Sequence, residues 1–217
     1  MPRNLLGRNQ AWARRTSEDD PEFFERLSRG QAPRYMWIGC SDSRVPSGKV
    51  VDLPPGQIFV HRNIANLALP SDTNCMSALQ YAVAVLRVEH VIVCGHNGCG
   101  GIRAAVDGRA TGSIDAWLGP VRDLREKHRA ALPPADDMGA LCDRLSEINV
   151  IEQVLNIART PFLREAWAQG QAVAVHGWVY DIRSGLIKDL GVTVSRAEEV
   201  AGVDAALERP DSRGASC

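Results

Sequence analysis

The segment that decides the fold is His90-Val-Ile-Val-Cys-Gly-His-Asn-Gly-Cys-Gly-Gly101, in which a short apolar run is followed at once by polar residues and glycines. An apolar run of this length that is rich in β-branched residues predicts a buried strand. The glycines predict a sharp turn, because glycine adopts backbone conformations that other residues avoid. A helix is expected to start near Asn97 and to run to about Val106. The polar residues therefore lie at the carboxyl end of a strand.

Three further apolar runs predict strands beside this one. They are Arg34–Ile38, Gln57–Arg62 and Ala172–His176. Segments with helical spacing of apolar residues separate the runs, and strands that alternate with helices form mostly parallel sheets. The segment Val179–Leu190, with Gly185 at its turn, is typical of a hairpin-like antiparallel edge addition. The sequence therefore predicts an α/β fold: a mostly parallel central β-sheet flanked by helices, with an antiparallel edge strand.

Helices are expected at four further places. One helix follows Ser71 or Asp72 as its N-cap, and three more are expected at Ile114–Ala130, Leu141–Leu155 and Ser195–Glu208.

Length and composition indicate a single domain. The chain has 217 residues, of which 45% are hydrophobic and 24% charged, so a sizeable core is expected. We therefore predict one domain over residues 1–217. Residues 1–29 are polar with isolated aromatic residues, which is typical of a helical arm, and residues 209–217 are expected to form a frayed tail.

The charge balance argues against a nucleic-acid or membrane-surface binder. The chain has 25 basic and 26 acidic residues and a net charge of −1, whereas such binders carry a basic excess. It contains no apolar stretch long enough to span a bilayer, and its N-terminal segment lacks the apolar region of a secretory signal. We expect a cytoplasmic protein with no nucleic-acid or membrane partner.

Two polar clusters carry the chemistry. Cys40-Ser-Asp-Ser-Arg44 follows the first strand, and His96 and Cys99 follow the third with the spacing of metal ligands. Because both clusters lie at the carboxyl ends of parallel strands, they should converge at one sheet edge. Thiolate and imidazole ligands select zinc, so we predict one Zn²⁺ per chain on Cys40, His96 and Cys99. Three protein ligands leave the fourth position open, as in catalytic zinc sites.

Asp42 and Arg44 indicate that the site is catalytic. Arg44 is permanently cationic and can hold Asp42 as an oriented carboxylate. Beside a zinc-bound hydroxide, an ionised carboxylate can only accept the proton and so orients the nucleophile. The same carboxylate could instead become the fourth zinc ligand and close the site.

Other interpretations of these residues remain open. The thiols and the histidine could be ordinary core residues, or the zinc could be structural, closed by Asp42 or a further cysteine. A redox dithiol is disfavoured because Cys94 and Cys99 lack C-x-x-C spacing. The glycine-rich turn has neither of the common phosphate-loop patterns. Four cysteines are expected to be inert, namely Cys75, Cys94, Cys142 and Cys217.

Four strings resemble the motifs of β-class carbonic anhydrases. They are Trp37-Ile-Gly-Cys-Ser-Asp-Ser-Arg-Val-Pro46, Phe59-Val-His-Arg-Asn-Ile-Ala-Asn66, Cys94-Gly-His-Asn-Gly-Cys-Gly-Gly101 and His176-Gly-Trp-Val-Tyr-Asp181. The resemblance covers about Gln31 to Leu190. It implies reversible hydration of CO₂ to bicarbonate and a proton, with the same zinc ligands and with Asp42 and Arg44 as the catalytic pair. The sequence does not identify a proton shuttle.

The resemblance also implies a substrate pocket and an assembly. The residues at the matching pocket positions are Gln31, Phe59, Ile64 and Tyr81. In the family this pocket forms across a dimer interface around which the N-terminal helices wrap. We therefore expect an obligate homodimer that assembles further into a homotetramer.

A subset of the family is regulated by bicarbonate at a second site, and this chain resembles that type II subset. The matching positions are Trp37, Arg62 and Tyr180, and residues 45–47 would form the displaced loop. The resemblance predicts that Asp42 leaves Arg44 and ligates zinc at low pH or high bicarbonate, which switches the enzyme off.

Two rival functions share these residues. A hydrolase of a CO₂-like molecule, such as carbon disulfide or carbonyl sulfide, would have the same zinc ligands. A binding or regulatory protein with a structural zinc would also have them, but it would not need the pairing of Asp42 with Arg44.

Overall fold

The computed structural model describes residues 2–207, and its five strands form one sheet in the order β2-β1-β3-β4-β5. The strands are β1 (Tyr35–Cys40), β2 (Ile58–Asn63), β3 (His90–His96), β4 (Ala174–Asp181) and β5 (Leu186–Val194). The first four are parallel, and β5 pairs antiparallel with β4 at one edge. This topology confirms the predicted fold class.

Ten helices flank the sheet within the described residues. They are α1 (Pro2–Asp19), α2 (Phe23–Ser28), α3 (Ser47–Val50), α4 (Thr73–Gln80), α5 (Gly100–Asp107), α6 (Gly112–Trp117), α7 (Gly119–Lys127), α8 (Met138–Ala158), α9 (Pro161–Ala168) and α10 (Val200–Leu207). A π-helical turn over Tyr81–Val85 extends α4, and a short 3₁₀ turn over Ile64–Asn66 follows β2. Helices α1 and α2 form the predicted N-terminal arm.

The two faces of the sheet differ in what covers them. Helix α8 packs so closely on one face that a Cβ added at Gly95 would lie 2.7 Å from a methyl group of Val150. The opposite face carries a smaller apolar cluster around Trp37, Ile92 and Cys94. That face is less covered, since Val60 on the edge strand β2 is 44% exposed.

Three predicted boundaries were wrong. Helix α5 starts at Gly100 and not near Asn97, because the backbone of Cys99 is still extended. The single helix predicted over Ile114–Ala130 is divided between α6, α7 and a 3₁₀ turn, and α7 begins at Gly119 with a proline at its start. Strand β4 is continuous from Ala174 to Asp181, so the fourth predicted strand and the start of the predicted hairpin are one element.

The remaining boundaries agree more closely. Asp72 is the N-cap of α4, with its Oδ1 accepting the Asn74 N–H at 3.1 Å. The turn between β4 and β5 contains Gly185 at φ +75°, as the hairpin requires. The predicted tail over residues 209–217 lies outside the described residues. Within residues 2–207, no helix is both long and apolar enough to cross a bilayer.

Candidate metal centre

Cys40, His96 and Cys99 are brought together at the carboxyl end of the sheet. Cys40 ends β1, His96 ends the neighbouring strand β3, and Cys99 precedes α5. One ligand atom from each residue lies within 4.8 Å of the others. All three side chains are buried, with exposed fractions of 4%, 0% and 1%. The predicted convergence of the two polar clusters is therefore present in the structure.

The donor atoms fit a tetrahedral zinc ion. The Sγ atoms of Cys40 and Cys99 lie 3.8 Å apart, and zinc–sulfur bonds of about 2.3 Å in tetrahedral geometry place two sulfurs about 3.8 Å apart. His96 Nδ1 lies 3.0 Å from the Asn97 carbonyl oxygen. Because a carbonyl only accepts, Nδ1 carries the proton and Nε2 presents its lone pair. Nε2 is buried without a hydrogen-bond partner, which is the arrangement that a metal ligand requires.

The two thiols shift each other's pKa in opposite directions. The pKa of Cys40 is lowered because the Cys99 thiol donates a hydrogen bond to it, although burial opposes the shift. The pKa of Cys99 is raised because its proton is held by Cys40 and because the thiol is buried. The pair therefore loses one proton readily, and a divalent cation between the sulfurs would favour loss of the second.

Asp42 lies beside the three donors and is held by Arg44. Arg44 Nε donates to Asp42 Oδ1 at 2.9 Å, and its Nη2 donates to Oδ2 at 2.7 Å. The Arg44 backbone N–H also donates to Oδ1, at 2.9 Å. These hydrogen bonds hold the pKa of Asp42 well below its usual range. Asp42 Oδ2 lies 3.8 Å from His96 Nε2, so an ionised carboxylate faces the donor set.

Two contacts that sequence reasoning missed hold the loop between His96 and Cys99. The carboxylate of Asp143, on α8, accepts the Gly98 N–H at 3.0 Å. Arg44 Nη2 also donates to the Gly98 carbonyl, at 3.4 Å. Asp143 is 45 residues from Gly98, and no local spacing in the sequence indicated this contact.

A single chain brings only one of the four predicted pocket residues to the metal centre. Ile64 packs in the same apolar cluster as Cys40 and Cys99. Phe59 and Tyr81 lie against each other, with ring centroids 5.9 Å apart.

Phe59 precedes Asn63, the register partner of Cys40, by four residues on β2, which is about 13 Å along the strand. Gln31 lines a separate surface cavity with Gly56 and Gln57. This separation is compatible with a pocket shared between subunits, which stays a prediction.

The residues of the predicted anion site lie on the sheet face opposite α8. Arg62 Nε donates to the Cys40 carbonyl at 2.8 Å, and its Nη2 donates to the Asp42 carbonyl at 2.6 Å. Trp37 is 1% exposed, and Tyr180 packs in the same apolar cluster. Arg62 lines a cavity of about 850 Å³ together with Pro46 and Ser47. The guanidinium thus connects this cavity to the segment that carries Cys40 and Asp42.

Comparison with known proteins identifies close relatives. The carbonic anhydrase family model matches residues 35–187. A carbonic anhydrase of Emericella nidulans is 42% identical over 184 residues, which cover 85% of this chain and 81% of the relative. A tetrameric β-carbonic anhydrase of Sordaria macrospora superposes with a TM-score of 0.84 at 41% identity, covering 88% of this chain and 98% of that one. The Coccomyxa β-carbonic anhydrase, solved in complex with acetazolamide, gives a TM-score of 0.84 at 38% identity, covering 92% and 90% of the two chains.

Proposed function

Because this chain belongs to the β class of the carbonic anhydrase family and is an enzyme of that family, we propose that it hydrates CO₂ reversibly with one zinc ion held by Cys40, His96 and Cys99. The observation that carries this proposal is the buried, unpartnered Nε2 of His96 beside the two sulfurs. The products are bicarbonate and a proton, and each turnover must deliver that proton to water or buffer.

The residues around the donor set have separate roles in this proposal. When bound, zinc lowers the pKa of a water ligand and so supplies a nucleophile near neutral pH. Asp42 is ionised and can only accept a hydrogen bond, so it orients the attacking group toward CO₂. Arg44 fixes both oxygens of that carboxylate. Ile64 contributes an apolar wall that suits a nonpolar substrate.

The catalytic role of Asp42 is tested by replacement with asparagine. Asp42→Asn keeps the shape of the side chain but removes the charge, so we expect CO₂ hydration to fall by about 10²-fold or more. The site formed by Cys40, His96 and Cys99 should still hold one zinc ion per chain, because Asp42 is not a ligand in the open state. The measurement is stopped-flow hydration with a pH indicator, together with metal analysis.

Ser43→Ala is the matched control, because Ser43 is an exposed neighbour and its variant should retain wild-type activity. Full activity in Asp42→Asn would contradict the catalytic role. Loss of zinc in that variant would instead favour a structural site closed by Asp42.

We further propose that bicarbonate switches the site off through Arg62. An anion beside Arg62 would compete with the Asp42 carbonyl for the guanidinium, and this competition would displace the segment after Cys40. The indole N–H of Trp37 and the phenol of Tyr180 are the other donors that the proposal assigns to the anion. Asp42 would then leave Arg44 and become the fourth zinc ligand.

Trp37→Phe tests this switch, because it removes one donor while keeping an aromatic ring. We expect inhibition by bicarbonate to weaken several-fold and the loss of activity at low pH to become shallower. Trp178→Phe is the matched control. The ring centroids of Trp178 and Trp37 lie 6.3 Å apart in an edge-to-face contact, and Trp178 is assigned no contact with the anion. Inhibition that is unchanged in Trp37→Phe, or weakened equally in both variants, would contradict the proposed site.

Assembly and location complete the proposal. The solved relative from Sordaria macrospora is tetrameric, which supports an oligomer for this chain. We propose a homodimer that pairs into a tetramer, in the cytoplasm.

A further inference from the structure

A second group of metal-ligating side chains lies away from the centre described above. One ligand atom from each of His61, Asp72 and Cys75 lies within 4.8 Å of the others. His61 is on the edge strand β2, and Asp72 is the N-cap of α4. Cys75 follows Asp72 by three residues, so both project from the first turn of the same helix. The group therefore joins the edge of the sheet to the start of α4.

The three side chains have the chemistry of a zinc site. A thiolate, an imidazole and a carboxylate are all ligands that zinc takes in proteins. Cys75 is fully buried, whereas His61 and Asp72 are half-buried. The N-cap uses Oδ1 of Asp72, so Oδ2 remains for a metal. The ligand set is thus closed on the core side by Cys75 and reaches solvent through Asp72.

The three groups interact through charge and not through direct hydrogen bonds. Burial and the Asp72 charge raise the pKa of Cys75 to about 12. Burial lowers the pKa of His61, and the Asp72 charge acts in the opposite direction. Neither shift includes a hydrogen bond among the three side chains. An ion between them would therefore break no contact within the group, and the one side-chain contact that it would meet at the imidazole, among the described residues, is that of His61 Nε2 with Asn63 Nδ2, at 3.4 Å.

A surface cavity reaches the Asp72 end of this group. The cavity has a volume of about 590 Å³, and Asp72 lines it together with Leu69, Ser71 and Trp117. A hydrated cation that enters here meets the carboxylate first. It can then exchange water for the imidazole and the sulfur, while water completes the tetrahedron.

We propose that His61, Asp72 and Cys75 form a second zinc site, separate from the catalytic centre, which fastens β2 to the N-terminus of α4. Zinc would replace the proton on the Cys75 thiol, and that proton would leave to the buffer. The site has no substrate pocket residue among its ligands, so its role is structural.

The test counts zinc ions in the full-length protein. Wild type and variants are dialysed to equilibrium against a buffer with micromolar free Zn²⁺, and zinc per chain is measured by mass spectrometry. We expect two ions in wild type and one in both Cys75→Ala and His61→Gln. Cys142→Ala is the matched control, because Cys142 is another buried thiol outside both groups, and it should retain two ions.

A cobalt-loaded sample gives a second readout. Sulfur-to-cobalt absorption should fall by about one third in Cys75→Ala, because two of three thiolate ligands remain. Loss of one ion in Cys75→Ala and His61→Gln would support the second site whatever Cys40→Ala shows. A Cys40→Ala variant that keeps both ions would count only against the proposed catalytic centre. Equal zinc content in wild type, Cys75→Ala and His61→Gln would overturn the inference.

Discussion

His176 lies between two polar side chains on the sheet face opposite α8. Its Nε2 is 3.1 Å from His90 Nδ1, and its Nδ1 is 3.0 Å from Thr193 Oγ1. Burial lowers the pKa of His176, the His90 charge lowers it further, and Asp189 acts in the opposite direction. Folding thus favours the neutral form of this imidazole.

This lowered pKa predicts a pH-dependent stability. The unfolded chain binds the proton more readily, with an ordinary pKa of 6.5. The contribution of neutral His176 is therefore fully present above pH 6.5 and is lost as the pH falls through the lower folded pKa. We expect the free energy of unfolding to fall more between pH 7.5 and 5 in wild type than in His176→Gln. Urea denaturation at fixed zinc concentration measures this difference.

Thr193→Ser serves as the comparison for His176, because it keeps both imidazoles and the hydroxyl beside His176 Nδ1 and should keep the wild-type pH slope. A slope in His176→Gln equal to that of wild type would contradict the argument.

At the residue scale, spacing predicts the ligand triad but not the contacts that hold the loop between His96 and Cys99, such as that of Asp143 with Gly98. His96 and Cys99 are three residues apart, and a strand before each polar cluster brings Cys40 to them. Cys75 was expected to be inert, and the structure has it as a buried thiol with a raised pKa; its role in a second site is the proposal made above. The sequence did not indicate that His61, on β2, would lie beside Asp72 and Cys75.

At the scale of single elements, two adjacent glycines at the start of α5 have different surroundings. A Cβ added at Gly101 would lie 2.7 Å from Ile64 Cγ2 and 3.3 Å from Ala65 Cβ, whereas one added at Gly100 would have no atom within 4 Å. Ala65 already has φ 65°, so this turn has little freedom to move away. Close packing of α5 on the turn therefore requires glycine at only one of the two positions.

Gly101→Ala is expected to reduce the free energy of unfolding by about 1–3 kcal/mol through overpacking. It should also lower activity, because Ile64, which packs in the same cluster as Cys40 and Cys99, must shift. Gly100→Ala should leave stability unchanged or raise it by up to about 1 kcal/mol, since alanine favours the helix. Chemical denaturation of both variants checks this, and equal effects at the two positions would contradict it.

The ends of helices and strands are harder to predict from sequence patterns than the elements themselves. Apolar runs predict the strands, because burial on both faces of a parallel sheet requires them. The division of Ile114–Ala130 depends on Gly119 and Pro120, which interrupt a pattern that otherwise continues. The start of α5 depends on the backbone of Cys99, which is extended so that the thiol reaches the other donors.

On the scale of the whole molecule, the N-terminal arm exposes more apolar surface than a monomer requires. Leu5 and Leu6 are 66% and 65% exposed, and Trp12 is 44% exposed. Within the arm, Trp12 on α1 contacts Phe24 on α2 edge-to-face, with ring centroids 5.4 Å apart. These observations support an arm that packs on a second subunit.

Charges placed on this surface should weaken the assembly. The double variant Leu5→Asp, Leu6→Asp is expected to shift the protein toward smaller species in light scattering after size-exclusion chromatography. Asn4→Asp, Asn9→Asp adds the same charge to exposed positions of the same helix and should leave the assembly intact. An unchanged mass for the leucine variant would show that the arm does not hold the subunits together.

The distance between the two sulfurs also affects how the protein must be handled. Cys40 and Cys99 Sγ atoms at 3.8 Å need to approach by less than about 2 Å to form a disulfide, whose S–S bond is about 2.05 Å. A metal that occupies both sulfurs prevents this oxidation. We therefore expect metal-free protein kept in air to lose the capacity to be reactivated by zinc, and to regain it only after a reductant is added. Zinc would then preserve the reduced state of the very side chains that bind it.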